Sequence, residues 1–149
     1  MPGGYTLRPW LHKLRGAKIG KNVWISQFVY IDELHPELLT IDDNCTIGFR
    51  TSIFTHFYWG NKKLNLNQGE VVIEKDVFVG PHCVILPGVR VGQGAVIKAG
   101  TVVSRNVPPF TFWGIPSAGA LGQVTIPLTH EHTYEEFIQG LKPARTRKQ

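Results

Sequence analysis

The sequence is poor in charged residues and has no long apolar run, and each shortage excludes a class of protein. Charged residues make up 18% of the chain and hydrophobic residues 42%. A disordered chain has the opposite balance, so the composition predicts a folded protein. No apolar run approaches the ~18–20 residues of a membrane span, and the N-terminus lacks the apolar stretch of a signal peptide. We therefore expect a cytoplasmic protein with no membrane span.

Cysteine is also scarce, and the positive charge is concentrated in one place. Cys45 and Cys83 form no redox or metal-binding motif, so nothing in the sequence requires an oxidising compartment. The formal net charge of +5 suggests a nucleic-acid partner, but four of the cations lie in the last nine residues, 141–149. The rest of the chain is nearly neutral. Because nucleic-acid binding needs a basic face on the folded body, we expect no such partner.

Glycine and proline are abundant, with 16 and 10 residues, which argues against a bundle of long helices. An aliphatic residue recurs every six positions in three runs. These twelve anchors are Ile19, Ile25, Ile31, Ile41, Ile47, Ile53, Ile73, Val79, Ile85, Val91, Ile97 and Val103. A period of six fits neither a helix nor a simple alternating strand. It is typical of a short strand followed by a corner, three times per turn. The sequence therefore predicts an all-β chain folded as a parallel β-helix of about four coils.

The interruptions of the repeat predict loops and caps. Four residues are inserted within 33–40, and an extended loop is predicted at about 57–71. We predict an N-terminal cap over 1–18, the β-helix over 19–120, and a C-terminal segment over 121–149 with a short helix and a basic tail. The helix is predicted from Tyr134 to Leu141, because Thr133 and Glu136 have the spacing of a capping box.

Two stretches point to a known family. They are VFVGPHCVILPGVRVGQGAVIKAGTVVSRNVPPFTFWGIPSAGA at 77–120 and YIDELHPELLTIDDNCTIGFRTSIFTHF at 30–57, which ends beside the extended loop with a Thr-His pair. Residues 19–120 resemble the hexapeptide-repeat acyltransferases, in particular their sugar and polysaccharide O-acetyltransferases. The resemblance implies a left-handed β-helix, a homotrimer, and transfer from acetyl-CoA bound in a groove between subunits.

The candidate catalytic residue is His56. It follows the anchor Ile53 by three positions, so we expect it to point outward at the root of the extended loop. In the family that the chain resembles, the matching histidine is the general base. Imidazole has an ordinary pKa near 6.5, so it can remove a hydroxyl proton during attack at neutral pH. No covalent acyl-enzyme is needed, and both cysteines occupy core positions of the repeat.

The resemblance also implies residues for acetyl-CoA. Small residues along one edge would face the pantetheine arm, namely Gly80, Pro81, Ala99 and Gly100. The polar pair Ser104 and Arg105 would hold the nucleotide. Arg105 either pairs with a CoA phosphate or is an exposed cation. His82 either lines the groove or is a solvated surface residue. After Pro116 the chain departs from the family pattern, because Ser117 to Ala120 include no basic residue.

For the acceptor, the resemblance suggests that Asp32 contacts a sugar hydroxyl, although a corner aspartate can also serve a local turn. Tyr58 and Trp59 could stack on a sugar ring or fix the loop to another subunit. We expect no metal, because the six histidines contain no His-x4-His pair. The sequence thus favours O-acetylation of a sugar hydroxyl in a saccharide or polysaccharide precursor. N-acetylation of an amino sugar nucleotide and a catalytically silent scaffold are the alternatives.

Overall fold

A computed structural model of the chain describes residues 3–56, 69–116 and 118–143. It divides the chain into two compact units, Met1–Ile115 and Pro116–Gln149. The division falls a few residues before the boundary at 120 that the repeat predicts. Within the described residues, no helix combines the length and the apolar character needed to cross a membrane.

The first unit consists of one helix, α1 (Leu7–Leu14), followed by short strands. The strands are β1 (Lys18–Ile19), β2 (Trp24–Ile25), β3 (Tyr30–Ile31), β4 (Leu39–Ile41), β5 (Thr46–Ile47), β6 (Ser52–Ile53), β7 (Val71–Ile73), β8 (Phe78–Val79), β9 (Val84–Ile85), β10 (Arg90–Val91), β11 (Val96–Ile97), β12 (Val102–Val103) and β13 (Phe112–Trp113). A 3-10 helix, Pro36–Leu38, lies between β3 and β4, inside the predicted four-residue insertion.

Successive strands join three parallel sheets in rotation. The first sheet has the order β1-β4-β7-β10, the second β13-β11-β8-β5-β2, and the third β12-β9-β6-β3. Every inward anchor is buried, and anchors of neighbouring strands pair in register, as Ile19 does with Ile41 and Ile41 with Ile73. β-Branched residues suit these short extended segments. The parallel sheets confirm the predicted β-helix class and fit its left-handed form.

The corners between strands use residues that tolerate a left-handed backbone. Asn22, Asn44 and Asp76 have φ of 54°, 59° and 62°, and each follows an anchor by three positions. Their side chains form a ladder, in which Asn22 Nδ2 donates to Asn44 Oδ1 at 3.1 Å and Asn44 Nδ2 donates to Asp76 Oδ1 at 3.2 Å. Asn and Asp accept positive φ more readily than most residues, so the sequence pattern and the turn geometry agree.

The second unit contains a strand pair and a helix. β14 (Gly122–Gln123) pairs antiparallel with β15 (Lys142–Pro143), and α2 spans Tyr134–Gly140. The predicted capping box is confirmed, because the Glu136 amide donates to Thr133 Oγ1 at 3.2 Å and the Thr133 amide donates to Glu136 Oε2 at 2.7 Å. The helix ends one residue before the predicted Leu141.

Candidate active site

The candidate site lies where the chain passes from the third sheet to the first. We call this corner the third-to-first edge; it comprises residues 32–38, 54–56, 86–89 and 104–106. The stacking of β3 on β6 sets its geometry. Because Ile31 pairs with Ile53, the residues that follow these two anchors emerge side by side. The repeat therefore brings Asp32 next to the segment that ends in His56.

Asp32 holds His56 through a buried hydrogen-bond network. The Asp32 side chain is 0% exposed and its Oδ2 lies 2.5 Å from His56 Nδ1. The same oxygen accepts from the backbone amides of Thr55 at 2.8 Å and His56 at 3.1 Å. The other oxygen, Oδ1, accepts from the Leu34 amide at 2.9 Å. The carboxylate is thus bonded on both oxygens.

This network keeps Asp32 ionised. Burial by itself raises the pKa of the carboxyl, but the amides of Thr55 and Leu34 and the His56 ring all donate to it, and together they lower the pKa of Asp32 below its ordinary value. An ionised carboxylate can only accept, so His56 carries its proton on Nδ1. In this tautomer the ring lone pair is on Nε2.

The structure can be compared with the sequence-based picture at two site residues. His56 is at the predicted edge, and its side chain is 11% exposed. The resemblance suggested that Asp32 contacts the acceptor. In the structure Asp32 is fully buried, and its oxygens are engaged by backbone amides and the His56 ring.

The four-residue insertion is tied to the same network and contributes two residues that the sequence did not single out. The Thr55 hydroxyl donates to the His35 carbonyl at 2.7 Å. The His35 ring lies edge-on to the His56 ring, with centroids 6.4 Å apart. Its Nδ1 lies 3.0 Å from Glu37 Oε1. The pKa of Glu37 is lowered because its own backbone amide and the His35 ring donate to the carboxylate.

A positive charge supports the backbone beneath this insertion. Arg15, just after α1, donates from Nη2 to the carbonyl of Ile31 at 3.1 Å and to that of Asp32 at 2.9 Å. The guanidinium thus fixes the chain at the point where it leaves the third sheet. Arg15 thereby links the N-terminal segment, which the sequence predicts as a cap, to the candidate site.

The residues that the resemblance assigned to acetyl-CoA are divided between two edges. Pro81, Ala99 and Gly100 are exposed on the second-to-third edge, which comprises residues 26–29, 48–51, 80–83 and 98–101. The Gly100 amide donates to the Pro81 carbonyl at 3.0 Å. Gly100 has φ of +74°, and a Cβ built there would meet no atom within 4 Å, so this corner is open. His82 is exposed on the same edge, and its ring centroid is 5.7 Å from that of Phe49.

Gly80 has a different role from the one that the resemblance implies. It is buried, and a Cβ there would lie 2.7 Å from the backbone nitrogen of Ala99. The missing side chain therefore makes room for the next coil of the same chain and not for a ligand. Ser104 and Arg105 are exposed on the third-to-first edge, below His56 in the stack. The Arg105 guanidinium lies 5.3 Å from the centre of the Trp113 ring.

Three residues named from the sequence, Tyr58, Trp59 and Ser117, lie outside the described residues. Cys45 and Cys83 are buried; burial raises the pKa of the Cys45 thiol to about 11 and raises that of Cys83 as well. Neither thiol is a nucleophile at neutral pH. In the described part of the chain, no group of three or more His, Cys, Asp or Glu side chains could hold a metal ion.

Comparisons with known proteins agree with this architecture. Residues 70–105 match the bacterial transferase hexapeptide (six repeats) family. The chain is 36% identical over 110 residues to YvoF of Bacillus subtilis, which is named as an acetyltransferase without a stated substrate. That match covers 72% of this chain and 62% of YvoF, so the chain spans less than two thirds of that relative's length.

Two further proteins extend the comparison. A 2,3,4,5-tetrahydropyridine-2,6-dicarboxylate N-acetyltransferase of Staphylococcus aureus is 54% identical over 41 residues, which is 28% of this chain and 17% of that enzyme. Among solved structures, a hexapeptide-repeat acetyltransferase of Vibrio cholerae in complex with acetyl coenzyme A superposes with a TM-score of 0.53 and 30% identity. That superposition covers 64% of this chain and 53% of the Vibrio chain.

Proposed function

Because the chain carries the repeats of the hexapeptide transferase family and has acetyltransferases among its relatives, we propose that it transfers an acetyl group from acetyl-CoA to a hydroxyl group of a saccharide. The observation that carries this proposal is the Asp32–His56 pair. A buried carboxylate that holds a histidine by Nδ1 is the arrangement that orients an imidazole for general-base catalysis.

The chemistry follows from the tautomer of His56. The acceptor hydroxyl attacks the thioester carbonyl while His56 Nε2 takes its proton. A bond forms between the hydroxyl oxygen and the acetyl carbon, and the bond between that carbon and the CoA sulfur breaks. His56 then returns the proton to the leaving thiolate, which gives CoA and the acetyl ester. Asp32 keeps the ring oriented and stabilises the imidazolium between the two proton transfers.

For acetyl-CoA, the open corner at Pro81, Ala99 and Gly100 fits the narrow pantetheine arm, since a flat edge without long side chains allows close approach to the backbone. Arg105 supplies a cation for a phosphate on the neighbouring edge. The proposal rests on these four exposed residues and on Ser104, which is exposed too, and it excludes Gly80, which is buried. The Vibrio relative, solved with acetyl coenzyme A, supports the identity of the donor.

The two acetyl-CoA edges belong to opposite sides of the third sheet, and we propose that a homotrimer unites them in grooves between subunits. Large apolar side chains point outward from the second and third sheets. Phe78, Val96, Val102 and Phe112 are 46%, 37%, 58% and 73% exposed in the single chain. The first sheet presents Lys18 and Arg90 instead. Exposed apolar faces of this kind mark surfaces that bind another protein.

The direct test of the activity is CoA release from acetyl-CoA, followed with a thiol reagent, in the presence of a panel of sugars and amino sugars. The product is identified by mass spectrometry as an ester or an amide. We expect esters with wild-type protein and a loss of about 10²–10⁴-fold in the His56→Ala variant, the usual contribution of a general base. Light scattering is expected to give three times the chain mass of 16.7 kDa.

Each alternative predicts a different result in the same assay. Amide products from the amino sugars would establish N-acetylation, which the name of the Staphylococcus relative favours. Full activity of His56→Ala would overturn the mechanism. No CoA release above hydrolysis with any acceptor would favour a silent scaffold, and a monomer in light scattering would overturn the groove between subunits.

A further inference from the structure

His35 belongs to a second histidine–carboxylate pair beside the first, and the sequence repeat does not account for it. The insertion that carries His35 and Glu37 breaks the six-residue register between β3 and β4. A solenoid coil closes without such an insertion, as the coils at β8 to β12 do. The segment is nevertheless ordered by specific contacts, which indicates a purpose other than closing the coil.

The contacts that order the insertion come from the catalytic network itself. Asp32 uses Oδ2 for His56 and Oδ1 for the Leu34 amide. Thr55, which is buried, donates its hydroxyl to the His35 carbonyl. The backbone on each side of His35 is therefore fixed relative to the candidate base. Pro36, buried at the start of the 3-10 helix, fixes the turn that brings Glu37 back to the His35 ring.

The two pairs have the same bonding pattern but different exposure. Each ring is bonded through Nδ1 to a carboxylate, at 2.5 Å for His56 and 3.0 Å for His35. The His56 side chain is 11% exposed, whereas that of His35 is 45% exposed. Glu37 accepts the Nδ1 proton of His35, which leaves the lone pair of that ring on Nε2. His35 is thus a hydrogen-bond acceptor at the open side of the site.

We propose that His35 binds a second hydroxyl of the acceptor, on the carbon next to the hydroxyl that His56 deprotonates. This proposal rests on the proposed function. With ring centres 6.4 Å apart, the two rings are close enough for two hydroxyls, each bonded to one ring at about 2.8 Å, to belong to one 1,2-diol. The acceptor class is therefore a compound with vicinal hydroxyls.

The charge of the insertion agrees with a neutral acceptor. Residues 32–41 contain three carboxylates, Asp32, Glu33 and Glu37, and neither lysine nor arginine. A carboxylate or phosphate of an acceptor placed beside His35 would be repelled by Glu37. A neutral polyol is not repelled and can also donate a hydrogen bond to the imidazole.

The test uses small alcohols, because they carry the hydroxyls in question without the rest of a saccharide. Ester formation from acetyl-CoA is measured with 1,2-propanediol, 1,3-propanediol and 1-propanol for the wild type, His35→Ala and His35→Gln. The matched control is His132→Ala, which removes a histidine paired with Glu136 at 3.6 Å in the second unit. Glutamine is included because its amide oxygen can take the place of the Nε2 lone pair.

We expect the wild type and the control to favour 1,2-propanediol over 1,3-propanediol by about three- to tenfold in kcat/KM, the value of one net hydrogen bond. His35→Ala should lose this preference with kcat for 1-propanol within twofold of wild type, and His35→Gln should recover part of it. A preference that survives in His35→Ala overturns the inference. An equal loss for all three alcohols overturns it too, since His35 would then only support His56.

The same assay, with amino sugars added as acceptors and His56→Ala as a further variant, separates this inference from the proposed function. If the wild type forms esters without a preference between the two diols, the inference fails and hydroxyl acetylation stands. If the wild type forms no ester with any alcohol while it acetylates amines, hydroxyl acetylation fails and the inference fails with it. Both the inference and the proposed function are supported if ester formation disappears in His56→Ala and the His132→Ala control keeps the preference for 1,2-propanediol.

Discussion

The Asp32→Asn substitution gives the sharpest test of the catalytic pair, because it changes charge and hydrogen bonding without changing shape. Asp32 accepts three hydrogen bonds on Oδ2, from Thr55 N, His56 N and His56 Nδ1, and one on Oδ1, from Leu34 N. An asparagine has one accepting oxygen and one donating NH2 group. With its oxygen in the Oδ2 position, the variant keeps three bonds and places its NH2 against the Leu34 amide.

This geometry gives the expected loss of folding stability and the expected fall in kcat. The buried NH2 group of the asparagine then faces the Leu34 N–H instead of an acceptor, which destabilises the fold by about 1–3 kcal/mol. For a chain of this length, each kcal/mol lowers Tm by about 2–4 °C. The asparagine side-chain oxygen still accepts from His56 Nδ1–H, so the tautomer of His56 is preserved. The uncharged asparagine no longer stabilises the imidazolium form of His56. A hydrogen bond to a charged group contributes about 1.5–3 kcal/mol, and we therefore expect kcat to fall roughly 10- to 150-fold.

The assay is steady-state CoA release, with thermal unfolding measured on the same preparations. Asp76→Asn is the matched control, because Asp76 is an exposed corner residue with φ of 62° that accepts from Asn44. Asparagine suits that backbone conformation and keeps an acceptor, so activity and Tm should both stay near wild type. The loss in kcat for Asp32→Asn should appear at saturating concentrations of both substrates.

Two results would refute the reasoning. If Asp32→Asn is folded and turns over within twofold of wild type while His56→Ala is inactive, the base needs no carboxylate. If kcat is unchanged and KM for the acceptor rises instead, Asp32 contacts the acceptor, as the family resemblance first suggested. The hydrogen-bond network as described would then be incorrect.

The remaining predictions concern pH, the cofactor and the thiols. Because the pKa of Asp32 is lowered in the folded protein, the stability it contributes is complete above its unfolded value of about 3.9 and is lost as pH falls through the lower folded value. Chemical denaturation should show the free-energy gap between wild type and Asp32→Asn shrinking below about pH 4; a constant gap would contradict this. Arg105→Ala should raise KM for acetyl-CoA about two- to fivefold with kcat unchanged, as an exposed ion pair allows, and an unchanged KM would remove Arg105 from the site. Cys45 and Cys83 should react with a thiol reagent only after unfolding, because both are buried, and the double alanine variant should keep its turnover; labelling of the folded protein would show that the core opens.

The fold could be predicted from the sequence because each structural unit is local. Six residues specify one strand and one corner, so an anchor such as Ile47 is interpretable from its neighbours alone, and it stacks on Ile25 and Val79 as the period requires. The corner residues add a second local signal, since Asn44 and Asp76 tolerate positive φ. A repeating local rule leaves few alternatives for long-range pairing.

The candidate site could be predicted only in part, because its residues interact across coils. His56 was indicated by its position after Ile53, but the role of Asp32 depends on the pairing of Ile31 with Ile53 across an insertion that breaks the period. With the insertion treated as a loop, the predicted register already stacks Ile31 on Ile53, but it does not specify that the Asp32 side chain accepts from the Thr55 amide. His35 gave no periodic signal, since its position is set by a 3-10 turn and a hydrogen bond from Thr55.

These observations connect the reactivity of the site to its selectivity through one carboxylate. Asp32 Oδ2 orients the candidate base, and Asp32 Oδ1 orients the loop that presents His35. A change in that loop that keeps the Leu34 amide in place can alter the residues facing the acceptor without disturbing His56. A change that moves the Leu34 amide leaves a buried carboxylate oxygen without its donor, which destabilises the charge that holds the base. The acceptor loop can therefore vary at His35 and Glu37 more freely than at the point where it joins Asp32.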